Sequence, residues 1–68
     1  MPGTYKITEL VGTSPISFAE ATKAAVAEAA RTLRNMAWFE VVAERGRIEN
    51  GAVAEFQVTL KIGFKLER

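Results

Sequence analysis

The sequence predicts an α+β fold in which one helix lies against the apolar face of a three-stranded antiparallel sheet, in the order β-α-β-β. Two patterns carry this prediction. Residues 52–67 alternate between apolar and polar side chains, with Val53 as the single apolar exception, and this is the period of a strand buried on one face. An alanine-rich segment earlier in the chain places apolar residues at spacings of three and four, which is typical of an amphipathic helix.

The first strand and the helix follow from local signals. Residues 5–11 alternate, and we expect this strand to end at residues 12–15, Gly-Thr-Ser-Pro, because glycine and proline interrupt regular structure. Ser17 and Glu20 have the spacing of a capping box, with Ile16 as a hydrophobic staple, so the helix should begin here. An apolar stripe predicts that it continues to residue 35 or 36. The stripe consists of Phe18, Ala21, Ala25, Ala29, Leu33 and Met36.

The second and third strands are expected to form a hairpin. Residues 38–47 read as the second strand, and residues 52–67 follow as the third. Between them, Asn50-Gly51 is the strongest short signal for a two-residue hairpin turn. The two strands should therefore pair antiparallel.

The hairpin register predicts which side chains share a face. With Asn50-Gly51 as turn residues, Trp38 and Gln57 lie on the polar face, whereas Phe39 and Phe56 lie under the helix. Gln57 then lies near Glu44, about 20 Å along the strand from Trp38. A β-bulge would shift this pairing by one residue.

The predicted third strand is too long for a compact monomer of this size. If straight, residues 52–67 would span about 50 Å, whereas a domain of 68 residues has a radius of gyration of about 11 Å. We expect residues 1–68 to form a single domain, and chains this short usually need a disulfide, a metal or partner chains for stability. The chain contains no cysteine and no histidine. Association with copies of itself is therefore the expected source of stability.

The composition argues against several classes of protein. The formal net charge is +1, so we do not expect a protein built to bind nucleic acid. No apolar run is long enough to span a membrane, and no signal peptide is visible, so a cytoplasmic protein without a membrane partner is expected. The absence of His and Cys removes the usual near-neutral base, the thiolate nucleophile and the main zinc ligands. We therefore expect neither an enzyme nor a metal site.

Three positions are candidates for ligand binding. Trp38 either fills a subunit interface or offers a stacking surface to a planar ligand. Gln57 is either a solvated strand residue or an amide that donates to and accepts from the edge of a heterocycle. Arg45, like Arg47, either faces solvent or pairs with a phosphate. The residues alone leave these alternatives open.

Several short motifs carry a family resemblance over nearly the whole chain. They are Val11-Gly12-Thr13-Ser14, Ala37-Trp38-Phe39-Glu40-Val41, Gly51-Ala52-Val53, Phe56-Gln57-Val58-Thr59-Leu60-Lys61 and Gly63-Phe64. In their order and spacing they are similar to the dodecins of the bacterial type. The resemblance implies a β-α-β-β fold whose sheet wraps the helix, and the assembly of twelve chains into a hollow homo-dodecamer of cubic symmetry.

The resemblance also implies flavin binding. In the dodecin family two flavins stack as a pair between symmetry-related tryptophans, which assigns stacking to Trp38. A glutamine amide holds the polar edge of the isoalloxazine, which assigns that contact to Gln57, and Arg45 is associated with a preference for FMN. The implied cofactor is FMN or riboflavin, and some bacterial members also bind coenzyme A.

The function implied by the resemblance is non-catalytic storage of flavin, with quenching of its photochemistry by the stacked tryptophan. Three alternatives stand beside it. They are a coenzyme A-binding protein, a purely structural oligomer without flavin, and an enzyme that uses flavin as a redox cofactor.

Overall fold

A computed structural model of the chain describes residues 3–66. Its elements are β1 (Tyr5–Ser14), α1 (Phe18–Ala29), β2 (Met36–Glu49) and β3 (Ala52–Lys65). The three strands form one antiparallel sheet in the order β1-β3-β2. This confirms the predicted β-α-β-β fold, with the long alternating strand at the centre of the sheet.

The core lies between β3 and α1. Val58, Leu60 and Ile62 of β3 are exposed by 0%, 0% and 1%, so the apolar face that the alternation predicts is buried. Small side chains let the helix backbone approach these residues closely. They are the buried alanines of α1, Ala21, Ala25 and Ala29.

Gly12 explains how the helix comes so near the sheet. The expectation that β1 ends at Gly12 is wrong, because β1 continues to Ser14 and Gly12 pairs with Val58. A Cβ on Gly12 would overlap the carbonyl oxygen of Ala21 and would lie 2.7 Å from the Cβ of Ala25. The glycine is therefore needed for close contact with α1 and does not interrupt the strand.

The start of α1 is set by its N-cap. The Glu20 backbone N–H donates to Ser17 Oγ at 3.0 Å, and Ser17 has an extended backbone with φ of −167°. This confirms the predicted capping interaction. The prediction that Ile16 acts as a hydrophobic staple is wrong, because Ile16 is 71% exposed.

The end of α1 comes earlier than predicted. The helix ends at Ala29, and the Thr32 N–H donates to the Ala29 carbonyl at 3.1 Å, as in a tighter turn. Asn35 then adopts a φ of 62°, which is incompatible with a continuing helix. Leu33 and Met36 still pack against the core, but from the connection and from β2. The apolar spacing predicted their contact with the core correctly and their helical conformation wrongly.

The β2–β3 hairpin turns at Asn50-Gly51, as predicted. Both residues have positive φ, 54° and 77°, which is the signature of a type I′ turn. The sheet pairing extends β2 to Met36–Glu49, beyond both ends of the predicted strand.

Two bulges, one in each strand, change the predicted register over the middle of the hairpin. In β3 the extra residue is Ala54, opposite Arg47 and Ile48, and in β2 the extra residue is Val42, between Val41 and Ala43. Between these bulges Gln57 pairs with Arg45, so the prediction that it lies near Glu44 is wrong by one residue. The second bulge restores the predicted register from Val41 to Trp38, and a third shift follows between Trp38 and Met36.

The helix covers only part of its side of the sheet. It packs on β1 and β3, and the rings of Phe18 and Phe56 pack edge to face, with centroids 5.0 Å apart. On β2, Phe39 and Val41 remain 52% and 42% exposed. Both predicted phenylalanines thus lie on the helix side, but the chain itself covers only Phe56.

The chain is elongated, as the length of β3 predicts. Its principal extents are 54 × 20 × 13 Å, and its radius of gyration is 14.1 Å. A compact domain of this length would have a radius of about 11 Å. Within the described part of the chain, no helix is long and apolar enough to cross a membrane.

Candidate functional site

The three predicted site residues lie on the side of the sheet opposite α1, which we call the open face. Trp38 pairs with Gly63 and Arg45 pairs with Gln57. Gly63 and Gln57 alternate along β3 with the buried core residues Val58 and Ile62, so they point away from the helix. The prediction that Trp38 and Gln57 share the polar face is confirmed.

Trp38 provides an aromatic surface on the open face. Its side chain extends from the edge strand β2 over Gly63 of the central strand, and its ring packs against Tyr5 of β1. The ring centroids are 5.1 Å apart and the planes are inclined by 50°. Trp38 remains 42% exposed, so part of the indole is available to stack with a planar group.

Arg45 and Gln57 form a polar pair farther along the same face. Arg45 Nη1 donates to Thr59 Oγ1 at 3.1 Å, and Gln57 Nε2 donates to Glu55 Oε1 at 2.9 Å. The Gln57 side chain is half-buried, while Arg45 is exposed. The amide oxygen of Gln57 remains available to accept a hydrogen bond from a ligand.

The two arginines before the turn differ in their electrostatic surroundings. Arg47 pairs with Glu49 at 3.2 Å and with Glu55 at 3.8 Å. Arg45 contacts a neutral hydroxyl and forms no ion pair with any carboxylate in residues 3–66. Arg45 is therefore the better of the two predicted candidates for binding a phosphate.

One chain does not bring Trp38 together with the polar pair. Trp38 lies opposite Gly63, six residues along β3 from Gln57, which corresponds to about 20 Å. A three-ring heterocycle stacked on Trp38 does not reach Gln57 or Arg45 of the same chain. A site that uses all three residues must therefore be completed by a second copy.

The open face offers binding groups of three kinds: an indole, a carboxamide and a guanidinium. Such groups stack on, orient and neutralise a ligand. Among residues 3–66, no three potential metal-ligating side chains come together.

The family of the chain is decided by comparison with known proteins. The model of the family described as Dodecin matches residues 4–67. The chain belongs to the dodecin family. This confirms the resemblance drawn from the sequence motifs, and family membership supports a small, multimeric, flavin-binding protein.

Individual dodecins are similar over almost their whole length. A dodecin from Thermus thermophilus is 51% identical over 63 residues, covering 93% of this chain and 91% of the relative. The solved dodecin structure from Streptomyces coelicolor has 53% identity and a TM-score of 0.94, covering 97% of this chain and 94% of that one. The dodecin from Streptomyces davaonensis has 43% identity and a TM-score of 0.96, with 100% of both chains covered. These similarities confirm the predicted dodecin fold.

Sequence reasoning missed two neighbours of Trp38. Tyr5 appeared only as the start of the first strand, and Gly63 only within the alternating third strand and in the motif Gly63-Phe64. The contact with Tyr5 depends on the register of β1 against β3, which the sequence does not encode locally. Two signals for Gly63 were available: the register set by Asn50-Gly51 places it opposite Trp38, and a glycine within a strand often marks a close approach.

Proposed function

We propose that this dodecin binds FMN as pairs of flavins stacked between Trp38 side chains of neighbouring chains, and that it stores the flavin without turning it over. The observation that carries the proposal is the position of Trp38. It offers an exposed indole on the open face, about 20 Å from the polar pair of the same chain. A flavin that uses all these groups lies between subunits.

Stacking gives a physical route to photoprotection. An excited flavin in contact with an indole accepts one electron from it, and the electron then returns to the indole without net chemical change. Bound flavin would lose its excitation before it reacts with other molecules. Since flavins in such a stack are covered on both faces, they also offer no approach to a substrate, which favours storage over catalysis.

The polar pair supports recognition of the rest of the FMN molecule. The Gln57 carboxamide combines a donor and an acceptor, which suits the polar edge of the isoalloxazine. The Arg45 guanidinium lies beside it in the ladder and suits the phosphate that FMN has and riboflavin lacks. This combination favours FMN over riboflavin.

Uncovered apolar surface supports the proposed homo-dodecamer. A groove of about 640 Å³ runs between the helix and the exposed Phe39. Its walls are almost wholly apolar, and a second copy that enters it would bury surface that the single chain leaves in contact with water. The groove is lined by Ala19, Thr22, Lys23, Val26, Ala27 and Phe39.

Equilibrium dialysis of the purified protein against FMN tests the proposal. We expect uptake of about one flavin per chain by the parent and a marked loss in the Trp38→Ala variant, because stacking contributes about 0.5–1.5 kcal/mol per aromatic contact. A parent protein that takes up no FMN would leave a structural oligomer as the better account.

Coenzyme A binding is the second candidate, and Arg45 is the observation that favours it. A guanidinium without a carboxylate partner among the described residues suits the phosphates of coenzyme A as well as that of FMN. Binding of coenzyme A that survives Trp38→Ala would separate this site from the flavin site.

A further inference from the structure

The Trp38 indole rests directly on the backbone of the central strand. Trp38 and Gly63 are cross-strand partners, and Gly63 is buried although it lies on the open face. A Cβ on Gly63 would overlap three adjacent atoms of the indole, Cε2, Cζ2 and Cη2. Because all three lie at closely similar depth, the face of the six-membered ring, and not its edge, covers the glycine.

Tyr5 contacts the same indole from the opposite edge strand. Tyr5 pairs with Lys65 on β3, so the contact between the two rings joins the two edge strands across β3. The centroid separation of 5.1 Å and the tilt of 50° lie within the range of favourable aromatic pairs. Gly63 below and Tyr5 beside it therefore define the position of the ring.

We infer that Gly63 and Tyr5 are positioning residues that hold the Trp38 indole face-down on β3, with its opposite face directed at the ligand. The inference deepens the proposed function and rests on it, since the ligand is the flavin proposed above. A stack of aromatic rings depends on the offset and inclination of the rings. A ring that is fixed before binding also loses less freedom when the flavin stacks on it.

Gly63→Ala tests the lower contact. Gly63 does not have a left-handed φ, so alanine fits the backbone and the added methyl group acts on the indole. Gly3→Ala is the matched control, because its Cβ would meet chiefly the flexible end of the Lys65 side chain, at 3.1 Å from Cε. It would lie 4.0 Å from Cε1 of Tyr5, an ordinary van der Waals contact that leaves the Tyr5 ring in place. Far-UV circular dichroism and light scattering establish that both variants fold and assemble like the parent.

Two readouts distinguish positioning from a general effect on the fold. The chain has one tryptophan, so the tryptophan band in the near-UV circular dichroism of the flavin-free protein reports on Trp38 alone. We expect this band to change in Gly63→Ala but not in Gly3→Ala. We also expect FMN to bind about two- to twelvefold more weakly to Gly63→Ala, as for the loss of one aromatic stack.

A double-mutant cycle tests whether Gly63 acts through Trp38. In a Trp38→Ala background, Gly63→Ala should have no further effect on FMN affinity. An equal loss in both backgrounds would overturn the inference, as would an unchanged tryptophan band in the single variant. If the parent takes up no FMN, the proposed function fails, and the spectra of the flavin-free proteins still decide whether Gly63 seats the indole.

Tyr5 provides an independent test if Gly63→Ala does not fold. Tyr5 is 46% exposed, so its substitution should leave the core intact. Tyr5→Phe keeps the ring and should retain the tryptophan band and the FMN affinity of the parent. Tyr5→Leu should change the band and weaken FMN binding. Parent-like behaviour of Tyr5→Leu, in the spectrum and in the titration, would overturn the role of Tyr5.

Discussion

Arg45 and Gln57 are direct cross-strand partners on the open face of the sheet. Their side chains engage neighbours on either side, Arg45 through the Thr59 hydroxyl and Gln57 through the Glu55 carboxylate. A cation and a carboxamide therefore lie side by side, about 20 Å along the strand from Trp38 of the same chain. If FMN binds as proposed, each part of the molecule has a separate group to contact.

Arg45→Ala separates recognition of the phosphate from recognition of the flavin ring. We expect the variant to lose FMN affinity by about 1.5–3 kcal/mol, the range for hydrogen bonds to charged groups, and to bind riboflavin like the parent. Parallel titrations with the two flavins measure the difference. The matched control is Arg31→Ala, because the Arg31 side chain lies just after the end of α1, is 74% exposed and pairs with Glu28. An equal loss for both flavins would contradict the assignment of Arg45 to the phosphate.

Gln57→Ala tests the contact with the isoalloxazine edge. We expect a loss of about 1–3 kcal/mol in binding, because the substitution leaves a buried polar edge of the flavin without its partner. FMN and riboflavin share this edge, so both should lose affinity by the same amount. A loss confined to FMN in isothermal titration would show that Gln57 acts on the phosphate end instead.

Trp38→Phe separates stacking from quenching. A phenyl ring retains part of the stacking surface, but it is a much poorer electron donor than indole. We therefore expect the variant to bind FMN more weakly than the parent by less than the roughly 0.5–1.5 kcal/mol of a full aromatic contact, and the bound flavin to be brighter. Time-resolved fluorescence at saturating protein measures this directly. A bound lifetime as short as in the parent would contradict electron transfer from Trp38 as the quenching step.

The sequence predicts those features of this fold that depend on neighbouring residues. The turn at Asn50-Gly51 and the cap at Ser17 are local, and both form as predicted. The burial of Leu60 follows from the period of its strand. Each of these is determined within a few residues of chain, so a single sequence is enough.

The remaining features depend on contacts between distant segments. Gly12 does not end β1, because it provides the space in which α1 packs directly on the strand. The bulge at Ala54 places Arg45, and not Glu44, opposite Gln57. Neither has a local signature that distinguishes it from the alternative. At the candidate site the hairpin register predicted that Trp38 and Gln57 share a face about 20 Å apart. It did not predict that Arg45 pairs with Gln57 or that Tyr5 contacts the indole.

Leu60→Ala tests the core that the alternation of β3 builds. Leu60 is fully buried, so we expect the substitution to lower the free energy of unfolding by about 2–5 kcal/mol per chain. Ile16→Ala is the control, because Ile16 is 71% exposed and should change stability by no more than about 0.5 kcal/mol. Urea denaturation at one fixed protein concentration provides the comparison, since assembly couples to stability. Similar losses in the two variants would contradict the assignment of the core.

Phe39→Glu tests whether β2 forms an interface between copies on the helix side of the sheet, where α1 does not cover it. A carboxylate in the apolar groove beside α1 would have to be buried without a partner on assembly, which costs several kcal/mol. We expect smaller particles in light scattering, whereas Phe39→Leu should assemble like the parent. Full-sized particles of Phe39→Glu would show that this groove stays open in the oligomer.

A fluorescence titration of FMN with the parent protein, run beside size-exclusion chromatography with light scattering, shows whether flavin is held and quenched between chains of one oligomer. We expect strong quenching that saturates at about one flavin per chain, on a particle of twelve chains. A particle of twelve chains that leaves FMN fluorescence unchanged would overturn the proposed binding and quenching while leaving the fold intact.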